Sequence, residues 1–164
     1  MNFTILHMGE GKEAYYKEAV DEFCKRMRAF GSLNLIPLKP AKTAGRELSE
    51  DEIALALEKE AEDWDKLLQS QKFSKSYKIA LCIEGGQVSS EGLAELFQKA
   101  ANSGKSSVVF LIGSSWGIAD RIKKICDLRL SFSKMTFPHQ LFRVLLLEQI
   151  YRGFQIAVGS KYHK

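Results

Sequence analysis

Ser107-Val108-Val109-Phe110-Leu111-Ile112, followed at once by Gly113-Ser114-Ser115-Trp116-Gly117, is the stretch that decides the fold. Every residue from Val108 to Ile112 is apolar, and three of these five are β-branched. A run that short and that rich in β-branched side chains reads as a strand buried on both faces, as in the middle of a parallel sheet. The glycines break it, and residues 118–125 then read as a short helix. Strand, tight turn and helix make up the first part of a βαβ unit.

The same alternation runs outward in both directions. Upstream, residues 77–83 alternate and then become fully apolar, which predicts a second central strand. Glu84-Gly85-Gly86 predicts a turn after it. Residues 91–101 form a helix that Ser89 or Ser90 can cap, with Glu91 near its positive end. Further back, residues 3–7 are a short apolar strand, and residues 12–30 place Tyr16, Ala19, Val20, Phe23 and Met27 at helical spacing. Leu33–Leu38 is another strand. Ser49 and Glu52 form a capping box ahead of a helix that buries Ile53, Leu57, Ala61, Trp64 and Leu68. Downstream, residues 128–132 are a last short strand, and Pro138 suits the first turn of a helix. Residues 141–158 are apolar on most sides, which predicts burial all round or a subunit interface on one face. Leu146 and Ile150 are expected at such an interface. Five strand–helix pairs predict an α/β three-layer sandwich with a mostly parallel sheet. No repeat, linker or change of composition divides residues 1–164, so one domain is expected. In such sheets ligands bind at the carboxyl ends of strands, here at residues 84–86, 113–117 and 132–137.

Composition narrows the class. The chain has 164 residues, 45% hydrophobic and 27% charged, which excludes disorder, collagen and coiled coil. No apolar run approaches the ~20 residues of a membrane span. The N-terminus reads as a strand and not a signal peptide, so a cytoplasmic protein is expected. Three cysteines and three histidines lie far apart, giving neither a disulfide framework nor a metal cluster. The net charge is +4, but residues 120–164 hold nine Lys/Arg against three acids, a local +6. A basic C-terminal quarter on a nearly neutral body suits a polyanion such as nucleic acid, or is simply a solvated face.

Several motifs point to chemistry. Gly113-Ser114-Ser115-Trp116-Gly117 matches G-x-S-x-G, the nucleophile elbow of serine hydrolases. Ser115 would attack, with Asp120 or Asp127 and then His139 completing a triad. Against this, no HGGG-like segment supplies an oxyanion donor, and the chain is short for that fold. Neither G-x-G-x-x-G nor a P-loop occurs in the right context. Glu148 and Arg152 are an i,i+4 pair that either stabilises its helix or serves a function. The tail Lys161-Tyr162-His163-Lys164 combines stacking groups with positive charge, which suits an unpaired nucleotide.

Three further stretches carry a resemblance. They are Val109-Phe110-Leu111-Ile112-Gly113; Leu130-Ser131-Phe132-Ser133-Lys134-Met135-Thr136-Phe137-Pro138-His139-Gln140; and Arg143-Val144-Leu145-Leu146-Leu147-Glu148-Gln149-Ile150-Tyr151-Arg152. With the terminal Tyr162-His163-Lys164 they resemble the ribosomal RNA large subunit methyltransferase H family. These are small SPOUT enzymes that methylate N3 of a pseudouridine in 23S rRNA. The first half adds Thr4-Ile5-Leu6-His7-Met8-Gly9 and Glu22-Phe23-Cys24-Lys25-Arg26. The resemblance implies a homodimer, a deep trefoil knot in roughly residues 77–164, and S-adenosyl-L-methionine as methyl donor, with no metal. It implies 23S rRNA of the ribosome or large subunit as partner, met without a separate RNA-binding domain. By position, the donor contacts are Leu81, Gly113, Phe132, Ser133, Lys134, Met135, Thr136 and Phe137. The implied catalytic candidates are His139, His163 and Arg152. Arg143, Arg152, Lys161 and Lys164 would meet phosphates, and Tyr162 would stack on a base. A side chain at Gly113 is expected to fill the adenosine space and spare the fold. The chain departs from the family at Ser114, where a second glycine is usual. Two rival readings stand beside this one: the serine hydrolase, and a ribosome-binding knot protein that has lost activity.

Overall fold

The computed structural model describes residues 1–11, 13–42 and 46–162. These residues form β1 (Asn2–Met8), α1 (Ala14–Met27), β2 (Leu33–Leu38), α2 (Glu50–Leu68), β3 (Tyr77–Gly86), α3 (Ser90–Asn102), β4 (Ser107–Ile112), α4 (Asp120–Lys124), β5 (Leu128–Leu130) and α5 (His139–Ala157). The strands lie in the order β2-β1-β4-β3-β5, and every pairing is parallel. β4 sits at the centre, running from Asn2↔Ser107 to His7↔Ile112 on one side and from Tyr77↔Val108 to Leu81↔Ile112 on the other.

The apolar run of β4 feeds two cores, because successive side chains of a strand point to opposite faces. Val108, Phe110 and Ile112 pack with Phe3, Ile5, Leu93, Phe97, Leu146, Leu147 and Ile150. Val109 and Leu111 pack with Leu6, Trp64, Leu68, Phe73 and Ile122. Helices α1, α3 and α5 therefore cover one face, and α2 and α4 the other, giving the expected three layers. The first face is rich in aromatic edges: Phe3 meets Phe97 at 4.9 Å and Phe154 at 5.3 Å, both T-shaped. Gly153 lets α5 approach here, since a Cβ on it would lie 3.0 Å from the Phe97 ring.

Local rules set the helix starts. The Ser49–Glu52 capping box closes in both directions, at 3.3 and 2.9 Å. Ser89, not Ser90, caps α3 by accepting from the Gly92 N–H at 3.1 Å. Pro138 precedes α5 as its N-cap residue.

Two expectations need correction. Residues 84–86 are extended strand rather than a turn. Gly86 pairs with Leu130, which also pairs with Leu81, and the Ser131 N–H donates to the Gly86 carbonyl at 2.9 Å. The backbone at Leu130 thus lies against both ends of the segment from Leu81 to Gly86. A Cβ on Gly85 would come within 2.6–2.8 Å of the Leu130 and Arg129 backbone, so glycine answers close chain packing here. Second, Leu146 and Ile150 are fully buried within this chain, so their apolar character is explained by its own core.

Candidate functional site

A cavity of about 320 Å³ opens at the carboxyl ends of β3, β4 and β5. Three segments wall it: residues 81–84, residues 112–118, and residues 130–137, with His139 and Phe142 of α5 closing one side. Most residues expected to contact a methyl donor meet there: Leu81, Gly113, Phe132, Ser133, Met135, Thr136 and Phe137. Lys134 lies on the same loop, exposed, outside the wall.

Each loop is fixed by its own chemistry. Ser114 and Gly117 exchange backbone hydrogen bonds at 3.1 and 2.9 Å, and Gly117 takes a φ of +91°, which favours glycine. That tight return brings the Gly117 carbonyl onto Gly113, where a Cβ would collide with it and lie 2.7 Å from Ile118 Cγ1. Gly113 is therefore demanded by the protein's own turn, and the expectation that a side chain there spares the fold is corrected. In the third wall the Ser131 hydroxyl donates to the Ser133 carbonyl at 2.9 Å, and the Ser133 hydroxyl accepts from the Met135 N–H at 2.9 Å. Phe132 and Phe137 pack on Phe142, at 5.0 and 6.3 Å between ring centroids. At the rim Lys123 bridges Glu84 at 2.5 Å and Asp120 at 2.7 Å. The Lys123 ammonium holds both carboxyls below their ordinary range.

Beside the cavity lies a part-buried polar cluster. Burial lowers the His139 pKa first and the Arg143 guanidinium second; the Gly113 carbonyl and the Glu60 charge oppose them. His7, at the end of β1, lies 2.8 Å through Nδ1 from the Gly9 carbonyl. A carbonyl only accepts, so Nδ1 carries the proton. Arg143 Nη1, 3.3 Å from the same nitrogen, then meets an N–H and repels further protonation. Burial and that charge lower the His7 pKa to about 4. Glu60 is 2% exposed; its Oε1 accepts from the Ala41 N–H at 3.0 Å, while Oε2 has no hydrogen-bond partner. Sequence reasoning passed over Glu60, although it stands three residues after Leu57 and four before Trp64, on the apolar stripe of α2. It also passed over Cys82, Lys123 and Phe142 as wall residues.

The hydrolase triad is not assembled. Ser115 is exposed, and among the described residues no hydrogen bond joins it to a histidine. No non-glycine residue described here has a positive φ, so the strained elbow is missing. Asp120 is held by Lys123, and Asp127 accepts from the Lys78 N–H at 2.7 Å. The tail candidates sit elsewhere, near the far end of α5. Tyr162 packs edge-on against Tyr151 at 5.0 Å, under the Arg152 guanidinium at 4.9 Å. Arg152 pairs with Glu148 at 2.6 Å, and the Tyr162 hydroxyl donates to the same carboxylate at 3.3 Å. Lys161 is exposed, while His163 and Lys164 lie outside the described residues. Among the described residues no group of three metal-binding side chains occurs, and no helix is long and apolar enough to cross a membrane.

Relatives match this chain over its full length. A Clostridium kluyveri protein named ribosomal RNA large subunit methyltransferase H is 43% identical over all 164 residues of both chains. The Clostridium botulinum protein of that name is 42% identical over the same span. Among solved structures, the tRNA (m1G37) methyltransferase of Aquifex aeolicus aligns with a TM-score of 0.53 at 14% identity. That alignment covers 93% of this chain and 69% of the other, and it speaks for the fold alone. The family described as "Predicted SPOUT methyltransferase" matches residues 1–163. With a parallel sheet of the same kind and its cavity at the strand ends, this chain belongs to the SPOUT methyltransferase family.

Proposed function

We propose that the chain is an S-adenosyl-L-methionine-dependent methyltransferase that modifies N3 of a pseudouridine in 23S rRNA, acting as one domain over residues 1–164. One observation carries this reading above the others: a cavity at the ends of β3, β4 and β5, in a chain 42–43% identical over its full length to methyltransferase H enzymes, is walled by two of the segments on which the sequence resemblance was drawn. Its volume suits a nucleoside-sized ligand. Leu81, Ile112 and Phe132 offer apolar surface for a base, and the turns at residues 113–117 and 131–137 bring backbone polar groups close to it. A trefoil knot in roughly residues 77–164, a homodimer and a cytoplasmic location belong to the same proposal.

When bound, the donor supplies a methyl group to the ring nitrogen and keeps the electron pair of the broken S–C bond on sulfur. Leu81, Gly113, Phe132, Ser133, Met135, Thr136 and Phe137 would hold the donor, and transfer would need the ring nitrogen presented to its methyl group. The ring N–H must lose its proton. His139 is the one described histidine in the cavity wall, and burial lowers its pKa, which favours the neutral ring that can accept a proton. His163 is the second candidate base. Arg143, Arg152, Lys161 and Lys164 meet phosphates, and Tyr162 stacks on a base.

Mass spectrometry of 23S rRNA incubated with the protein and labelled donor tests the proposal. The expected product is one labelled methyl group on a pseudouridine. Donor binding by calorimetry without any transfer would favour the inactive ribosome-binding protein, and no donor binding would overturn the site.

A further inference from the structure

Methyl transfer from a sulfonium changes the charge in the cavity. The S–C bond breaks with its electron pair kept on sulfur, an N–C bond forms, and the ring nitrogen's proton passes to a base. Donor and thioether product therefore differ by one positive charge and one methyl group, and are otherwise alike. A cavity that bound both by shape alone would hold its product almost as well as its donor, because specificity is a difference of affinities. The wall carries one group that can tell them apart. Leu81 and Gly86 both pair with Leu130, so residues 82–85 bulge between them. The bulge lies tight on β5 at Gly85 and sets Cys82, Ile83 and Glu84 along the cavity. Glu84 is the one carboxylate among the described residues that line it. Lys123, also in the wall and with its side chain only 14% exposed, donates to Glu84 Oε1 at 2.5 Å and lies 2.7 Å from Asp120, which stands outside the wall. Two carboxylates thus share one ammonium, and the trio keeps one net negative charge. The neighbouring cations Arg129 and Lys134 are exposed and do not line the cavity.

We propose that Glu84 is a specificity-determining residue: its carboxylate in the cavity wall favours the positively charged methyl donor over the uncharged thioether product. This rests on the donor occupying that cavity, as in the reading above. Lys123 fixes the carboxylate on the wall through one oxygen, and a carboxylate has acceptor capacity well beyond that single bond. Asp120 offsets the Lys123 charge, so Glu84 keeps its own pull on a cation. Once the methyl group has left, the positive charge is gone and the attraction with it, which speeds release of the product. The Glu84 side chain is 53% exposed, so water and salt screen the attraction and the preference it gives is a few-fold.

The test is calorimetry on the protein without RNA, with three ligands: S-adenosyl-L-methionine, S-adenosyl-L-homocysteine, and sinefungin, which carries an ammonium group in place of the sulfonium and its methyl. Glu84→Gln removes the charge, keeps an oxygen for Lys123 and leaves Lys123 on Asp120, and a thermal scan checks that it folds. The Kd of S-adenosyl-L-methionine should rise about 3- to 5-fold, and that of sinefungin with it, while the Kd of S-adenosyl-L-homocysteine changes by less than about 1.5-fold. The wild-type preference for the charged ligands should shrink as salt is raised from about 0.05 to about 0.5 M, and that of Glu84→Gln should respond less. Asp120→Asn removes the same charge outside the wall and should cost the preference less than Glu84→Gln does. Equal losses for charged and uncharged ligands in folded Glu84→Gln overturn the inference, as does no loss at all, or an Asp120→Asn effect as large as that of Glu84→Gln. A wild-type chain that binds all three ligands without preference overturns the inference alone. A wild-type chain that binds none of them overturns the donor reading and this inference with it.

Discussion

The two sides of the carboxyl end of β4 could hardly differ more. Toward β3 and β5 the structure is open, walled by loops, with Ile83 56% and Met135 71% exposed at the cavity. Toward β1 and α2 it is more closed and more charged: His7 and Glu60 are buried, and half-buried Arg143 lies against His7 with His139 on the same helix. Gly113 and His139 join the two. The difference fits two physical demands. A ligand needs shape and a way in, whereas a proton needs fixed charges held out of water, where they act strongly.

The most damaging change should strike the joint itself. Gly113→Val sets a branched side chain against the Gly117 carbonyl and Ile118, neither of which can move without opening the turn. A loss of about 3 kcal/mol or more is expected, seen as insoluble protein or a collapsed thermal transition. A stable Gly113→Val protein that only failed to bind donor would return the glycine to the ligand side of the comparison.

The closed side should be the more sensitive to acid. The folded pKa of His7 lies near 4, below the ordinary value of 6.5. Between those values the unfolded chain takes up a proton that the folded chain refuses. Stability contributed by neutral His7 is therefore full above pH 6.5 and drains away as the pH falls toward 4. About 2 kcal/mol is expected, allowing for solvent screening. Denaturant midpoints between those pH values measure it, and His7→Gln should flatten the slope.

Away from both sides, the tail should matter to the substrate and not to the donor. Removing residues 161–164 should leave donor affinity unchanged by calorimetry. Methyl transfer to rRNA should fall at least ~10-fold, or ~1.4 kcal/mol. Full activity of the shortened chain would confine RNA recognition to the α5 start and the cavity rim.

How much of this was legible follows the same divide. The strand ends around the cavity could be read directly, because apolar runs stopped by glycines mark buried strands and their turns. The reason for Gly85 could not, since it depends on the β5 backbone at Leu130, a contact no local pattern carries. Gly113 was found, but the turn's own demand for it was not, because the crowding comes from a carbonyl four residues on. Leu146 and Ile150 were rightly read as buried, and only the identity of what buries them was misjudged. Glu60 went unseen because a carboxylate on a charged helix reads as surface, even on the apolar stripe. The closed side as a whole is assembled from β1, α2 and α5, three elements far apart in the chain.

Ser114 tests where the boundary runs. It stands where the resemblance implies a glycine, it is 7% exposed, and its hydroxyl is buried with no hydrogen-bond partner. A buried hydroxyl left unpaired costs about 1–3 kcal/mol. If that oxygen belongs to the closed side, Ser114→Ala removes the cost and keeps the Cβ contacts. Alanine is the better probe than glycine, which would also loosen the unfolded chain. The gain should be about 1 kcal/mol, or roughly 2–4 °C in Tm for a domain of this size, with donor affinity unchanged. If the oxygen serves the open side, the donor is its missing partner. Ser114→Ala would then weaken donor binding about 5-fold or more while the free protein still gained stability. The burial of the hydroxyl in the free protein favours the first outcome, and calorimetry with a thermal scan on one variant separates them.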